Sequence, residues 1–308
     1  MAVSAKTQKR LARWRKDGIV FYSLMMLFPV AQFAIFYIGV NFNSFLMAFQ
    51  EIDIAEDTVT WTFQNFRQIW LELTEQSTML SVAKVSLLSY ALLLVIGTPL
   101  GLLFSYYIYK KLPFAGGFRV VLFLPSIISA VVMVTIFQFY VERAVPEYVY
   151  KMFGKTIKGL LDNIDSRYSV IIFYNVWIGF GTGVLLYSNG MSGISQDVVE
   201  SAHLDGADGF REFWYITLPL VYPTLSTFLI TGVAGIFTNQ INLYSFYGAE
   251  APVGVQTFGY YLYNQTQAAK SEAEYPRLAA IGFILTLIAV PLTLVVKWAL
   301  EKFGPSED

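Results

Sequence analysis

The chain has 308 residues and a formal net charge of −1, and 56% of its residues are hydrophobic while only 14% are charged. With a mean hydropathy of +0.52, this apolar share exceeds that of ordinary soluble domains and predicts a membrane protein. The absence of cysteine excludes disulfides, thiolate metal sites and cysteine nucleophiles. Because His203 is the single histidine, a histidine metal cluster is excluded as well. The net charge gives no support for a nucleic-acid partner.

The first predicted elements are a basic N-terminal segment, residues 1–17, and an apolar segment, residues 19–40. The basic segment favours the cytoplasmic side of a membrane because it carries Lys6, Lys9, Arg10, Arg13, Arg15 and Lys16. The apolar segment is longer than the core of a secretory signal peptide, and no clear small-x-small cleavage pattern follows it. We therefore predict a retained first transmembrane helix with a cytoplasmic N-terminus.

Five further apolar segments are long enough to cross a bilayer as helices, so residues 18–308 are predicted to form a six-helix domain in the cell membrane. These segments are residues 85–109, 120–140, 168–188, 218–237 and 278–298. Lys110 and Lys111 mark the cytoplasmic end of the second helix, and six spans place both termini on that side. Pro125 predicts a kink inside the third helix.

The longest charged interval between two of these helices is Val198–Pro223. Ser195 is predicted to cap a first short helix with its side chain. Gly206 is predicted to end that helix, because glycine adopts the left-handed conformation without a Cβ penalty. Asp208 is then predicted to cap a second helix that begins at Gly209. The sequence thus predicts two short helices joined by a tight turn.

The second short helix is predicted to present one apolar face, to which Arg211 and Glu212 do not belong. Its members recur at helical spacing: Phe210, Phe213, Trp214 and Thr217. Pro219 and Pro223 are predicted to bend or restart the chain as it enters the next span.

At these residues the chain resembles the permease subunits of bacterial ATP-binding-cassette (ABC) importers. Their cytoplasmic loop carries Glu-Ala-Ala, then Asp-Gly-Ala, and about ten residues after the glycine an Ile-x-Leu-Pro. Ser201 stands where the family usually has alanine, and the matching positions are Glu200, Ala202, Asp205, Gly206, Ala207, Phe213, Ile216, Leu218 and Pro219. The resemblance implies an all-α type I importer permease fold, with residues 194–217 as the coupling loop.

The coupling loop is expected to contact an ATPase subunit through residues 198–219. We predict that Glu200 forms a charge-assisted contact with a basic residue of that subunit. Gly206 permits the turn, and Ala202 and Ala207 allow close approach. This chain lacks a phosphate-cradling Gly-rich loop followed by Lys-Ser/Thr, so ATP and Mg²⁺ are expected in the partner subunits. No catalytic residue, metal or cofactor is expected in this chain, which is predicted to be a transport subunit and not an enzyme.

Three further stretches extend the resemblance. Phe118–Tyr140 looks like the third helix of sugar-importer permeases, and Asn175–Leu186 looks like the helix before their loop. Ile241–Gln265 is similar to a pattern of the first of the two unlike permeases in carbohydrate importers, although only Pro252 remains of its Gly-Gly-Pro. The resemblance therefore implies a second, non-identical permease, two ATP-binding subunits and an external solute-binding protein as partners.

Polar and aromatic residues within or at the end of spans are the candidates for contact with a carbohydrate, which is expected to be an oligosaccharide. Amides can donate to and accept from sugar hydroxyls, and aromatic rings can cover sugar ring faces. The candidates are Asn175, Trp177, Gly179 and Thr182 in the fourth helix and Phe237, Asn239, Gln240 and Asn242 at the end of the fifth. The alternative is that the amides hydrogen-bond between helices and that Gly179, Gly181 and Gly183 serve close packing.

Three other functions remain open at this stage. The same architecture could carry another solute, such as a glycerol-phosphate ester or a glycosaminoglycan fragment. An anionic solute requires Lys or Arg inside a span, and only Lys84 lies near the edge of a predicted span. An autonomous secondary transporter requires ionisable residues inside its helices, which are nearly absent here. A membrane enzyme requires a catalytic constellation, for which the chain offers neither a histidine pair nor a cysteine.

Overall fold

The computed structural model describes residues 5–75 and 77–305. Residues 1–4 of the predicted basic N-terminus lie outside these residues, and so do the side chains of residues 5–17, whose backbone begins the first helix. The described chain is mainly helical, which confirms the predicted fold class. It divides into two compact units, Met1–Ile69 with Ala269–Phe283, and Trp70–Ala268 with Ile284–Asp308.

The first unit begins with a long helix whose residues 19–46 are all exposed within the described part of the chain. α1 (Ala5–Gln32) continues through a π-helical turn, Phe33–Gly39, into α2 (Val40–Met47). Within the segment Gly18–Met47, the most apolar 18 residues have a mean hydropathy of 2.0, and 0% of this part is buried. An uncovered apolar surface of this length suits a lipid environment and not water. The helix extends beyond the predicted end at residue 40.

A short β-hairpin follows, which the sequence analysis did not predict. β1 (Gln50–Asp53) pairs antiparallel with β2 (Thr58–Trp61), so that Gln50 lies opposite Trp61. The side-chain amide of Asn65 donates to the Gln50 carbonyl at 2.8 Å and holds the base of the hairpin. Aromatic rings fill the space beside it: Phe49 lies 5.4, 4.9 and 5.7 Å, centroid to centroid, from Phe63, Phe66 and Phe283.

The remaining helices belong wholly or partly to the second unit. In chain order they are α3 (Gln64–Glu75), α4 (Ser77–Leu92), α5 (Thr98–Tyr109), α6 (Ala115–Ile127), α7 (Ala130–Phe139), α8 (Val145–Phe153), α9 (Ile164–Ser192), α10 (Gln196–Leu204), α11 (Phe210–Glu212), α12 (Leu218–Leu220), α13 (Tyr222–Ala234), α14 (Leu243–Tyr247), α15 (Phe258–Ala268) and α16 (Tyr275–Phe303). π-Helical turns join α4 to α5, α7 to α8 and α11 to α12. Short 3₁₀ turns lie at Val253–Val255 and Glu272–Glu274.

The core of the second unit forms around α9. Tyr174 of this helix is 1% exposed, and its ring lies 5.0 Å from the rings of both Phe137 and Phe246. Ile171 and Ile241 are buried in the same cluster. Toward the other end of α9, Tyr187 and Met191 pack with apolar residues of α5 and of the segment after α11. Thus α9 connects the ends of the unit through one continuous packed helix.

Four stretches of the described chain are helical and apolar enough to cross a membrane, and six if each of two bent helix pairs counts as one span. The four are Gly18–Met47, Thr78–Tyr109, Ile164–Ser192 and Glu272–Phe303. Each extends beyond the bounds that the apolar runs predicted, because the flanking residues, although more polar, continue the same helix. The bent pairs occupy the predicted third and fifth spans.

The first bent pair corrects the prediction for the third span, residues 120–140. α6 continues past Pro125 to Ile127, and the chain turns by 103° where Ile128 and Ser129 adopt extended conformations. Proline donates no backbone hydrogen bond, so the turn of helix around Pro125 is weakened without ending there. The bend therefore lies after the last helical turn and not at the proline itself.

The second bent pair corrects the prediction for the fifth span, residues 218–237. The helical path begins at Phe210, bends by 66° at Val221 and ends at Ala234. Pro219 and Pro223 each lie in the first turn of a helical segment, which confirms that they restart the chain. Because α13 ends at Ala234, the residues from Phe237 to Asn242 are not at the end of a helix but in the irregular segment after it.

Close packing of α6 on α9 depends on one of the three glycines that the sequence analysis singled out. A Cβ atom at Gly181 would overlap the backbone carbonyl of Leu122, whereas Cβ atoms at Gly179 and Gly183 would meet nothing within 4 Å. The backbone of α6 thus approaches α9 at Gly181 alone among the three.

Gly181→Ala is expected to destabilise the protein by about 1–3 kcal/mol, the usual cost of overpacking, because a helix backbone cannot rotate away as a side chain can. Gly183→Ala is the matched control on the same helix and should have no destabilising effect, since alanine favours helix and the site is open. Thermal unfolding of the purified protein in detergent measures both, and equal midpoints for the two variants would contradict the close contact.

Candidate functional site

The predicted helix–turn–helix of the loop is present, and Gly206 closes its first helix. Gly206 has φ +79°, in the left-handed region, as predicted. Its N–H donates to the His203 carbonyl at 3.0 Å, and the Ala207 N–H donates to the Ala202 carbonyl at 2.9 Å. These two bonds form a Schellman motif, which satisfies the last carbonyls of α10. The turn is therefore fixed by its own backbone.

Two predicted caps of this loop are wrong. Ser195 has an extended backbone at the start of α10, but its side chain caps nothing. Asp208 does not cap the second helix, which begins at Phe210 after Gly209 (φ +54°). The Asp208 carboxylate instead contacts Nδ1 of His203 and ties the turn to α10. The nearby imidazole offers Asp208 a side-chain partner that local spacing alone does not reveal.

The residues predicted to contact an ATPase separate into an outward and an inward set. Glu200, Asp205 and Gly206 are exposed, and Glu200 makes no ion pair within the described part of the chain. Ala202 and Phe213 are buried, and Ala207, Leu218 and Pro219 are half-buried. The buried members hold the loop against the helices, and the exposed members remain available to a partner.

The prediction of a single apolar face on the second short helix is wrong. Phe213 and Thr217 are buried, whereas Phe210 and Trp214 are 69% and 48% exposed. The reason is the π-helical turn Phe213–Thr217, which holds an extra residue and rotates the side chains away from regular helical spacing. The outer surface of the loop includes large apolar side chains beside its exposed acids, with Leu204 at 90% and Tyr215 at 76% exposure.

A buried acid at the base of the loop was missed by the sequence analysis. The side chain of Glu212 has 0% exposure, and its Oε2 lies 2.7 Å from Nζ of Lys110 at the end of α5. Nε2 of His203 lies 3.5 Å from the same oxygen. The hydroxyl of Tyr106 donates to the Gly209 carbonyl at 3.0 Å. The last turn of α5 therefore contacts the second short helix and the turn, and the first short helix is linked to them through His203 and Glu212.

A cavity of about 390 Å³ lies within the helices of the second unit. It is bounded by parts of α4, α5 and α13 and by the irregular segment after α13. Its lining residues include no charged side chain and several hydroxyl groups and one amide, from Ser86, Ser89, Tyr90, Thr98, Thr231, Thr238, Asn239 and Thr257. A neighbouring cavity of about 290 Å³ shares Leu93, Thr98 and Phe228 with it. Together they offer uncharged hydrogen-bond donors and acceptors between the helices.

The predicted substrate residues do not all meet at these cavities. Asn239 lines the larger cavity, and Asn175 and Gly179 line the smaller one. The others do not line either: Trp177 joins the aromatic cluster with Phe137, Phe237 packs on Phe258, Thr182 lies exposed on α9, and Gln240 and Asn242 lie half-buried in the irregular segment. Their role in binding remains a prediction.

The two amides Asn175 and Asn242 bind each other. The Asn242 side chain donates to Oδ1 of Asn175 at 2.8 Å, and the Asn175 side chain donates to the Ile241 carbonyl at 2.9 Å. Ile241 and Asn242 both have positive φ, at 44° and 58°. Asn175 thus holds a left-handed pair of residues in place, which is the interhelical role that the sequence analysis left open.

Two hydroxyl residues of the cavity could have been found from their spacing. Ser86 and Ser89 lie three residues apart on α4, so they share one side of that helix. Glu212 could be suspected as a lone acid just before an apolar run. Its partner Lys110 lies 102 positions away in the chain, and no local pattern indicates that distance.

Comparison with known proteins gives a family match over most of the chain. The model of the family described as "Binding-protein-dependent transport system inner membrane component" matches residues 97–307. The arabinooligosaccharides transport system permease protein AraP of Bacillus subtilis (strain 168) is 26% identical over 208 residues, which are 66% of this chain and 65% of AraP. The galactooligosaccharides transport system permease protein GanP of the same strain is 26% identical over 267 residues, 82% of this chain and 63% of GanP. This chain thus spans slightly less than two thirds of either relative.

A solved structure shares the fold over nearly the whole chain. It is described as the crystal structure of a bacterial ABC transporter involved in the import of the acidic polysaccharide alginate. The TM-score is 0.77 at 19% sequence identity, and the match covers 96% of this chain and 99% of that chain.

Replacing Asn175 with leucine is expected to destabilise the protein by about 1–3 kcal/mol, because the buried Ile241 carbonyl and the Asn242 amide lose their partner. Gln240→Leu is the control in the same segment, since the Gln240 side chain forms no hydrogen bond within the described residues. Thermal unfolding in detergent compares the two. A larger loss for Gln240→Leu than for Asn175→Leu would contradict the structural role of the asparagine pair.

Proposed function

This chain belongs to the family of binding-protein-dependent transport system inner membrane components, and on that premise we propose that it is the permease subunit of an ATP-driven importer of a neutral oligosaccharide. The observation that carries the proposal is the loop: two short helices joined by a Schellman turn, with an exposed acid, Glu200, and exposed apolar side chains such as Leu204 and Phe210. A surface of this kind is costly in water and suits the cleft of a partner protein.

The proposed partner at this surface is an ATP-binding subunit. ATP and Mg²⁺ are bound in that subunit, because this chain contains no phosphate-cradling Gly-rich loop. Glu200 supplies a charge-assisted contact to a basic residue of the partner, and the exposed apolar residues fill the cleft. When two ATP-binding subunits close on nucleotide, they move the loop and, with it, the helices. In this proposal the loop and both chain termini face the cytoplasm.

The proposed substrate class follows from the lining of the larger cavity. Hydroxyl and amide side chains can match each hydroxyl of a sugar as donor or acceptor, and no lining residue offers a positive charge for a carboxylate or phosphate. The names of AraP and GanP, which describe oligosaccharide transport, agree with this class. The alginate importer shares only the fold with this chain at 19% identity, so its acidic substrate carries no weight against a neutral one.

The proposed transporter complex contains two more partners. A second, non-identical permease faces this chain in the membrane and covers part of its apolar surface, for which the uncovered segment Gly18–Met47 is available. A solute-binding protein delivers the sugar from outside, in line with the description of the family.

The substrate class is tested with the complete complex in proteoliposomes, supplied with binding protein and ATP. Uptake of neutral oligosaccharides should exceed uptake of uronic-acid oligosaccharides of equal length by at least about tenfold, since leaving a carboxylate unpaired in an uncharged cavity costs more than the 1.4 kcal/mol that a factor of ten represents. Equal or preferred uptake of the acidic sugars would contradict the neutral class. ATP-independent transport would contradict the importer.

Gly206→Val is expected to uncouple ATP hydrolysis from uptake while the protein still inserts normally. No atom crowds the position, so the effect is conformational: a β-branched residue at φ +79° costs about 1–2 kcal/mol and opens the turn. Gly206→Asn is the control, because asparagine tolerates the left-handed region. The measurement is sugar transported per ATP hydrolysed, and an unchanged ratio for the valine variant would show that the turn does not transmit movement.

A further inference from the structure

We propose that the ion pair between Lys110 and Glu212 is the joint through which movement of the coupling loop reaches the transmembrane helix α5, and that both are positioning residues for transport. The inference rests on the proposed function, and it concerns residues that the family motif of the loop does not include. Lys110 is the residue directly after α5, and Glu212 is the last residue of α11.

The burial of Glu212 makes this contact specific. A carboxylate with 0% exposure has lost its hydration, so it requires a cation or several donors close by. Lys110 is the only lysine or arginine within ion-pair distance of it in the described chain, with N–O 2.7 Å. If the loop moved relative to α5 by a few ångströms, the buried charge would lose its partner at a high cost. The pair therefore favours movement of the loop and α5 as one body.

Further contacts direct the whole loop to the same turn of α5. His203, in the last turn of α10, lies 3.5 Å from the Glu212 carboxylate. The Tyr106 hydroxyl donates to the Gly209 carbonyl in the turn, and its ring lies 5.1 Å from the ring of Phe213. Glu212 and the turn at Gly209 thus contact the last turn of α5 directly, and α10 is linked to the same place through His203 and Glu212.

The other end of α5 lies at the cavities. Thr98, the first residue of α5, lines both cavities, and Gly101 lines the smaller one. A helix rises 1.5 Å per residue, so Thr98 and Lys110 lie about 18 Å apart along one rigid element. A displacement imposed at Lys110 is therefore delivered to the cavity wall by α5 without an intervening flexible segment.

The two glutamates of the loop have different surroundings and therefore different roles in the proposal. Glu200 is exposed, whereas Glu212 is buried against Lys110 of the same chain. Loss of Glu200 should weaken assembly with the ATP-binding subunit. Loss of Glu212 should leave assembly intact and reduce the transport obtained from each hydrolysed ATP.

The test uses Lys110→Met and Glu212→Gln in the complete complex, with Lys111→Met as the control. Lys111 is adjacent, exposed and without an ion pair in the described chain. Each pair variant should lower the sugar transported per ATP by at least about fivefold, the lower range of coupling between distant sites, while Lys110→Arg and Lys111→Met should retain the wild-type ratio. An unchanged ratio in Lys110→Met and Glu212→Gln would overturn the proposal. A proportional loss of uptake, ATPase activity and assembled complex would overturn it as well.

A covalent replacement of the pair separates a joint from a merely stabilising contact. Because the native chain has no cysteine, Lys110→Cys with Glu212→Cys can be linked by a short bifunctional thiol reagent. The unlinked double variant should be uncoupled, and linking should restore the ratio. Failure of linking to restore it, or inhibition by the link, would overturn the proposal.

The experiment also distinguishes failure of the joint from failure of the proposed function. A wild-type complex that transports no saccharide contradicts the proposed function. Amide hydrogen exchange then decides whether the ion pair holds the loop to α5. Faster exchange throughout α10 and α11 in Lys110→Met than in Lys111→Met supports the proposal, and equal exchange overturns it.

Discussion

The position of the loop depends on one buried electrostatic contact. Glu212 has no exposed surface, and the cost of burying its carboxylate is offset by Lys110 at 2.7 Å. Such a pair contributes less to stability than a well-packed apolar cluster of the same volume, but it tolerates few alternative arrangements. Phe213, the residue after Glu212, packs with Met191 and Val221 in a small apolar core.

A second constraint is the need to satisfy backbone groups where a helix stops within the unit. α13 ends at Ala234, and the carbonyls of the irregular segment after it require donors from elsewhere in the chain. The chain supplies the donors: Asn175 donates to the Ile241 carbonyl, and Thr257 donates to the Asn239 carbonyl at 2.8 Å. The same irregular segment forms part of the cavity wall. Polar residues that complete the fold therefore also create the uncharged surface proposed for sugars.

Loop and cavity are thus linked by ordinary structural elements. α5 connects them by its rigidity, and α9 packs along the unit through an aromatic cluster at one end and through Tyr187 and Met191 at the other. Gly181 brings the backbone of α6 against α9. At this close contact, a shift of α6 requires a shift of α9.

The sequence alone determined the class of fold, the apolar spans, the turn at Gly206 and the restart of the chain at Pro219 and Pro223, because these follow from composition, local periodicity and the backbone preferences of glycine and proline. It misplaced the bend near Pro125 and the side chains of Ser195 and Asp208, and it missed the hairpin at 50–61, since short strands and caps depend on competing partners nearby. Only the tertiary structure decided that Asn175 holds Asn242, that hydroxyl residues from separate helices share a cavity, and that Glu212 meets Lys110. The two side-chain pairs join residues 67 and 102 positions apart. The energy of such a contact depends on distance and burial in space, and neither is encoded in the spacing of residues along the chain.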